Sequence, residues 1–184
     1  MRKLIAAINM TLDGFCDHTA ISPDDEIHQH YSELLSSAGT ILYGRITYQL
    51  MEYWITIVKN PTGNKAIDDF AVTIDNIPKI VFSHTLKKLE WETAKLAMRD
   101  LKEEVLSLKQ QTGKSILVGS PSLIITLLKH NLIDEFQLCV HPIVIGKGLP
   151  LFRDINDSLN LTLLKTKTFG SGAIVLYYEP KKDD

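Results

Sequence analysis

The feature that most constrains this chain is a set of short apolar runs without polar alternation: Leu4–Ile8, Thr40–Tyr43, Ile80–Phe82 and Ile116–Val118. A strand with one wet face alternates apolar and polar residues, whereas a continuous run suits a strand covered on both faces. The pattern therefore predicts an α/β fold in which a central sheet is sandwiched between helices. Helical segments lie between the runs. Ser22-Pro23-Asp24-Asp25 reads as a helix start, with Ser22 as N-cap, Pro23 at the first helical position and acidic residues in the first turn. Ile27, Tyr31, Leu34 and Leu35 then share one helical face. A second helix is expected from Asp100 to Gln111, with Leu101, Val105 and Leu108 as its stripe and Gly113 near the C-terminal cap. A third starts at Ser120-Pro121 and carries Leu123, Ile124, Leu127 and Leu128.

The C-terminal part changes character. Phe136, Leu138 and Val140 alternate with Gln137, Cys139 and His141, and Leu159, Leu161 and Leu163 alternate further on. The connection Thr168-Phe169-Gly170-Ser171-Gly172 then leads into Ala173–Tyr178. Alternation around a glycine-rich turn reads as an antiparallel hairpin. The expected architecture is one domain over 1–184: a three-layer α/β/α fold with a mostly parallel central sheet and an antiparallel C-terminal hairpin. The stretch from Glu52 to Pro78 reads as the least regular, turning at Asn60–Asn64, either a lid or a surface excursion.

Composition bounds the function. The chain has 184 residues, 45% hydrophobic and 23% charged, with a formal net charge of −2. That balance argues against intrinsic disorder and against a polybasic nucleic-acid binder. Arg2 and Lys3 precede an apolar run too short for a signal peptide. No run approaches the roughly 20 apolar residues of a membrane span. A cytoplasmic protein with no membrane partner is expected, its two cysteines, Cys16 and Cys139, reduced.

In open α/β sheets, ligands bind beyond the carboxyl ends of the parallel strands. There the sequence places Asn9–Phe15, Gly44-Arg45-Ile46-Thr47, Ser83-His84-Thr85 and Gly119-Ser120-Pro121-Ser122. Gly119-Ser120 opens a helix, where unpaired N–H groups and the positive dipole end favour a phosphate. Arg45 is suited to clamp a phosphate, and Thr47 to donate to it. Two such loops on two strands suggest a ligand with more than one phosphate, such as a dinucleotide. Neither the glycine fingerprint of ordinary dinucleotide-binding folds nor a nucleotide-binding P-loop motif follows the first strand.

Ile5-Ala6-Ala7, Tyr43-Gly44-Arg45-Ile46-Thr47, Phe82-Ser83 and Gly119-Ser120 together resemble the dihydrofolate reductase fold. Thr11-Leu12-Asp13-Gly14, Leu132-Ile133-Asp134-Glu135 and the run Pro142–Phe152 are similar to the reductase (C-terminal) domain of RibD, the bifunctional riboflavin-biosynthesis protein. The resemblance implies an NADPH-dependent reductase passing a hydride to a small heterocyclic or carbonyl substrate, as 5-amino-6-(5-phosphoribosylamino)uracil reductases do. It also implies roles. Gly44, Arg45 and Thr47 would hold phosphates, Ser83 would meet the 2′-phosphate, and Gly119, Ser120, Pro121, Ser122 and Leu123 would cradle the pyrophosphate. Ala7, Asp13 and Gly14 would lie near the nicotinamide. The acid that dihydrofolate reductases carry on their first long helix falls at His28, and the glutamate of the riboflavin enzyme is replaced by Val118.

Asp13 and His28 are accordingly the catalytic candidates, Asp13 reading otherwise as a turn residue. Tyr48, Trp54 and Phe70 either wall a ring slot or pack a core. Gly146-Lys147-Gly148 reads as a phosphate loop or a turn. Alternative readings are a dihydrofolate reductase-type activity or a nucleotide- or small-molecule-binding module without turnover. A homodimer is expected, with Leu159, Leu161 and Leu163 on its strand.

Overall fold

The computed structural model describes residues 1–153, 155 and 158–181. Its centre is an eight-stranded sheet. In chain order the strands are β1 (Leu4–Thr11), β2 (Ala38–Gly44), β3 (Lys79–Phe82), β4 (Ala94–Leu96), β5 (Ser115–Val118), β6 (Glu135–His141), β7 (Leu161–Thr168) and β8 (Ile174–Pro180). They lie in the order β4-β3-β2-β5-β1-β6-β8-β7. The first six run parallel; β8 pairs antiparallel with β6, and β7 with β8. The helices are α1 (Asp25–Ser37), α2 (Arg45–Met51), α3 (Tyr53–Lys59), α4 (Lys65–Asn76), α5 (Leu101–Gln110) and α6 (Pro121–Lys129).

The apolar runs form the parallel strands because both faces of the sheet are covered. Along β1, Leu4, Ala6, Ile8 and Met10 pack with Val105 and Leu108 of α5 and Ile124 and Leu127 of α6. Ile5 goes to the other face, into a cluster with Leu35 of α1 and Phe70 and Ile74 of α4. Under α1, a smaller cluster joins Ile27 to Cys139, Phe169, Val175 and Tyr177. This is the three-layer arrangement expected, with the C-terminal hairpin of β7 and β8 at one sheet edge.

Three local expectations are corrected. The first helix is capped by Asp24, whose carboxylate accepts from Ile27 N at 2.9 Å; Ser22 and Pro23 lie outside it. The stretch from Glu52 to Pro78 is not irregular: it forms α3 and α4, and α4 packs along α1. The first hairpin strand, β7, begins at Leu161 rather than Leu159, and its pairing with β8 shifts register between Leu163 and Lys165.

The motif Leu132-Ile133-Asp134-Glu135 is tied into the opposite end of the sheet from the presumed ligand edge. Leu132 and Ile133 are buried, and Asp134 Oδ2 accepts from Leu4 N at 2.7 Å and from Lys109 Nζ at 2.6 Å. It holds the start of β1 against α5. No helix among the described residues is long and apolar enough to cross a membrane.

His30 of α1 is buried against Tyr31, Phe169 and Tyr177. Burial, reinforced by Lys167 and Lys165 and only partly opposed by Glu33, pushes its imidazolium down to about 4. Between that value and the ordinary 6.5, the unfolded chain binds more protons than the folded one, so stability falls as pH drops through this window. His30→Phe keeps an aromatic ring there and removes the titration. Urea midpoints measured from pH 4 to 7 are expected to fall less steeply for this variant than for the wild type.

Candidate active site

Five strands end side by side along one edge, in the order β3, β2, β5, β1, β6. At about 4.8 Å per gap, this edge runs for roughly 19 Å. Along it lie Ser83 after β3, Gly44–Thr47 after β2, Gly119–Leu123 after β5, the turn 11–16 after β1 and the loop 142–151 after β6. The edge thus brings the cofactor candidates together in spatial order.

The middle two loops are joined directly. Gly44 N donates to Ser120 Oγ at 2.9 Å, a buried bond. Both glycines sit where side chains crowd: a Cβ at Gly44 would lie 3.4 Å from Ser122 Oγ and 3.8 Å from Leu123, and one at Gly119 would lie 3.3 Å from the Ala7 carbonyl oxygen. Ala7 therefore backs Gly119 through its carbonyl.

Helix capping separates these loops from α1, α4 and α5, although α3, which continues from α2, also has no side-chain cap. α1, α4 and α5 are capped by the side chains of Asp24, Asn64 and Asp100. α2 and α6 have Gly44 and Ser120 as N-caps and no side-chain cap bond. Ser120 has the right hydroxyl but points it at Gly44, and Pro121 opens the helix without a donor. The first-turn N–H groups of α6, including Ser122 and Leu123, are left without a side-chain acceptor. Arg45 is exposed beside them, its guanidinium donating to Gln49 Oε1 at 3.2 Å, and Thr47 is half-buried one residue past Ile46. Ser83 is half-buried, and its hydroxyl accepts from Thr85 N and Leu86 N at 3.2 and 3.0 Å. These residues fit an anionic cofactor: glycines for close approach, free backbone donors and an unburied cation.

At the other end, Asp13 ties two loops together. Its Oδ1 accepts from Thr11 Oγ1 at 2.6 Å, and its Oδ2 from Ile145 N at 3.1 Å and Gly146 N at 2.7 Å. Thr11 Oγ1 in turn accepts from Phe15 N at 3.0 Å. The Thr11 hydroxyl bond, helped by the two backbone donors, holds the exposed Asp13 carboxyl below its ordinary range. Backbone bonds from Leu12 N to Ile143 O, Cys16 N to Leu149 O and Leu151 N to Gly14 O complete the seam. Gly14 and Gly146 adopt positive φ, +87° and +72°, where a side chain would be strained. The run 146–148 is thus a turn pinned by Asp13.

His28 sits in α1. Its Nδ1 lies 2.9 Å from the Asp24 carbonyl oxygen, and its ring meets Trp54 and Phe70 edge-on, each 5.7 Å between centroids. Trp54 and Phe70 therefore surround the histidine. Tyr48 belongs elsewhere: it is fully buried, and its hydroxyl accepts from Glu90 N at 2.8 Å. The two cysteines are free, and burial pushes each thiol up to about 12, so neither is a nucleophile at neutral pH.

Sequence reasoning placed Asn9 on this edge but missed its contact with His141 at the end of β6. His141 is buried, and its Nε2 lies 2.9 Å from Asn9 Oδ1 and 3.7 Å from Cys139 Sγ. The available signal was the pairing of two apolar strands that both turn polar at their carboxyl ends.

The fold is that of dihydrofolate reductase. The dihydrofolate reductase of Enterococcus faecalis, in complex with NADP(H), superposes with a TM-score of 0.64 at 14% identity, over 98% of this chain and 97% of that one. A candidate riboflavin biosynthesis protein of Shewanella sp. PV-4 superposes with a TM-score of 0.73 at 19% identity, over 98% and 99%. The RibD C-terminal domain model matches residues 2–175, and the chain belongs to that family. Among its relatives is YyaP of Bacillus subtilis (strain 168), an uncharacterized protein 34% identical over 96% of this chain and 94% of the relative.

Ser120→Ala removes the acceptor of a buried backbone N–H. It is expected to cost about 1–3 kcal/mol in urea unfolding, the usual scale for an orphaned buried donor. A loss below ~0.5 kcal/mol, the surface-substitution range, would mean the two loops hold together without it.

Proposed function

We propose that this chain is an NADPH-dependent reductase acting on a small heterocyclic substrate, of the kind reduced by 5-amino-6-(5-phosphoribosylamino)uracil reductases. The observation that carries the reading is the pair of loops Gly44–Thr47 and Gly119–Leu123, joined by the Ser120–Gly44 bond and lacking side-chain caps. Membership of the RibD C-terminal family supports the reaction class. The dihydrofolate reductase neighbour that binds NADP(H) supports the cofactor.

In this reading Gly44, Arg45 and Thr47 take phosphate oxygens on one side. Gly119, Ser120, Pro121, Ser122 and Leu123 take them on the other through backbone N–H groups. Ser83 faces the 2′-phosphate end of the edge. Ala7 and Gly14 border the nicotinamide end. When bound, NADPH supplies a hydride, and a proton must reach the reduced substrate to complete the two-electron step. Asp13, ionised and held by three hydrogen bonds, fixes the loop 142–151 rather than delivering that proton. His28 would deliver it from Nε2 and only as the imidazolium, because its Nδ1–H already donates to the Asp24 carbonyl and Nε2 has no hydrogen-bond partner among the described residues.

A cytoplasmic homodimer belongs to the same proposal. β7 is an edge strand with Leu163 and Leu164 about half exposed, and open edges of this kind pair with a second copy. Light scattering at micromolar concentration is expected to return twice the chain mass.

Titration with NADPH and NADH, followed by fluorescence, tests the cofactor. NADPH is expected to bind more tightly, and Arg45→Ala to weaken it by about 1–3 kcal/mol, the scale of a charge-assisted contact, with the melting temperature unchanged. Equal affinity in a folded Arg45 variant would remove that residue from the site. Absence of binding to both nucleotides would favour a small-molecule-binding module without turnover.

A further inference from the structure

We propose that Tyr48 is a positioning residue: its hydroxyl sets the spacing between α2 and the connection 83–93, and through that spacing the preference for a 2′-phosphorylated nucleotide over its unphosphorylated counterpart. The inference rests on the reductase reading and adds to it a residue that touches no ligand.

The connection 83–93 joins two parallel strands, β3 and β4, with no helix or strand of its own. Crossovers between parallel strands usually contain a helix, which satisfies its own backbone groups. This one runs as a bare strap from Ser83, at the carboxyl end of β3, back to Ala94 beside Lys79, and its backbone must find partners elsewhere. The second half of the strap is well held. Trp91 is buried, and its indole donates to Asp75 Oδ1 of α4 at 2.7 Å. Lys79 Nζ lies 4.4 Å from the centre of the Trp91 ring and donates to Thr93 Oγ1 at 2.8 Å. The first half is not. Leu86 and Leu89 pack against the core, but from His84 to Leu89 no hydrogen bond reaches another element among the described residues. The Ser83 hydroxyl accepts only from within the strap, from Thr85 N and Leu86 N.

Tyr48 holds the junction of the two halves. Its hydroxyl accepts from Glu90 N at 2.8 Å and Trp91 N at 3.4 Å, and its ring meets Trp91 edge-on, 5.7 Å between centroids. Burial pushes the phenol up, so the hydroxyl is neutral. α2 depends on the same contact. It has seven residues and no side-chain cap, too few to be stable alone, and Tyr48 is its one fully buried side chain. Arg45 and Thr47 lie within a turn of it. Tyr48 therefore ties the helix that bears Arg45 to the strap that begins at Ser83.

NADPH and NADH differ by the 2′-phosphate alone. In the proposed reading that group meets Ser83, and the rest of the nucleotide meets the loops 44–47 and 119–123. A strap displaced from α2 is then felt by the phosphorylated nucleotide and not by the other, because a polar contact is lost within a few tenths of an ångström beyond its normal range. Tyr48→Phe keeps the ring against Trp91 and leaves Glu90 N and Trp91 N without their acceptor.

The test titrates NADPH, NADH, 2′,5′-ADP and 5′-AMP by calorimetry into the full chain as wild type, Tyr48→Phe, Ser83→Ala and the double variant. Tyr48→Phe is expected to weaken NADPH and 2′,5′-ADP by about tenfold, the equivalent of one polar contact, and to leave NADH and 5′-AMP within about twofold. The Tyr48 and Ser83 losses are expected to overlap rather than add, since both act on one contact. Hydrogen exchange at the Glu90 amide is expected to speed up by at least about tenfold in Tyr48→Phe. Trp91→Phe keeps a ring and removes the bond to Asp75; it should shift the same preference in the same direction if Tyr48→Phe does not fold. Equal weakening of both nucleotides, an unchanged preference in the folded variants, additive losses or unchanged Glu90 exchange would overturn the proposal. A wild type that binds neither nucleotide, or both equally, would instead sink the NADPH reading beneath it, whereas a wild type that prefers NADPH beside a Tyr48→Phe that does so equally would sink this proposal alone.

Discussion

The whole arrangement depends on β1 being buried on both faces between β5 and β6. Every side chain from Leu4 to Ala6 is dry, and alternate residues are committed to opposite cores. A strand of this kind has no room for polar groups until it emerges. Asn9 and Asp13 appear where it does, with Thr11 between them buried and hydrogen-bonded to Asp13 and Phe15, and β6 closes on the buried His141. Chemistry at the carboxyl ends is therefore a consequence of packing: those ends are the first places where a polar atom reaches water or a ligand without a desolvation penalty.

Electrostatics divides the helices along the same line. α1, α4 and α5 carry acidic or amide caps that satisfy their own N-termini, as Asp24, Asn64 and Asp100 do. α2 and α6, which begin at the strand ends, do not, and neither does α3, which continues from α2. Placing a carboxylate at the start of α6 would satisfy its N–H groups permanently and repel an anion. Using Ser120 to hold Gly44 instead keeps the loop rigid while leaving the donors available. Rigidity and vacancy are both needed for binding a polyanion without a large ordering cost.

Much of this was legible in the sequence, and the misses have physical reasons. The parallel strands were visible because continuous apolar runs mean burial on two faces. The hairpin was visible because alternation around Gly170-Ser171-Gly172 has few other solutions. α3 was hidden by Ile55, Thr56, Ile57 and Val58, whose β-branched side chains disfavour helix; tertiary packing against α4 overrides that preference. α4 was hidden by Pro61-Thr62-Gly63, although Asp68 reaches back to Thr62 N and Gly63 N and makes that turn an organised N-terminal lead. Ser22 and Asp24 are both capping residues, and the choice went to the one whose carboxylate reaches Ile27 N. That these loops share one edge of the sheet followed from strand-end reasoning, but their order along it and the Asn9–His141 contact did not. That contact spans 132 positions in the chain and exists only once β1 and β6 lie side by side.

Gly119 has a further consequence. A Cβ there would sit 3.3 Å from the Ala7 carbonyl oxygen, a contact relieved only if the neighbouring backbone gives by a few tenths of an ångström. Packing therefore disfavours a side chain at this position, whatever the protein binds. Arg45 is exposed and braces nothing beyond Gln49, so only ligand binding would hold it in place. The two positions act as separate clocks for descendants of this chain. On the proposed reading, a lineage that drifts at 45 while 119 stands still would have released its ligand and kept its architecture. One that drifts at 119 would first need the backbone around Ala7 to give by a few tenths of an ångström.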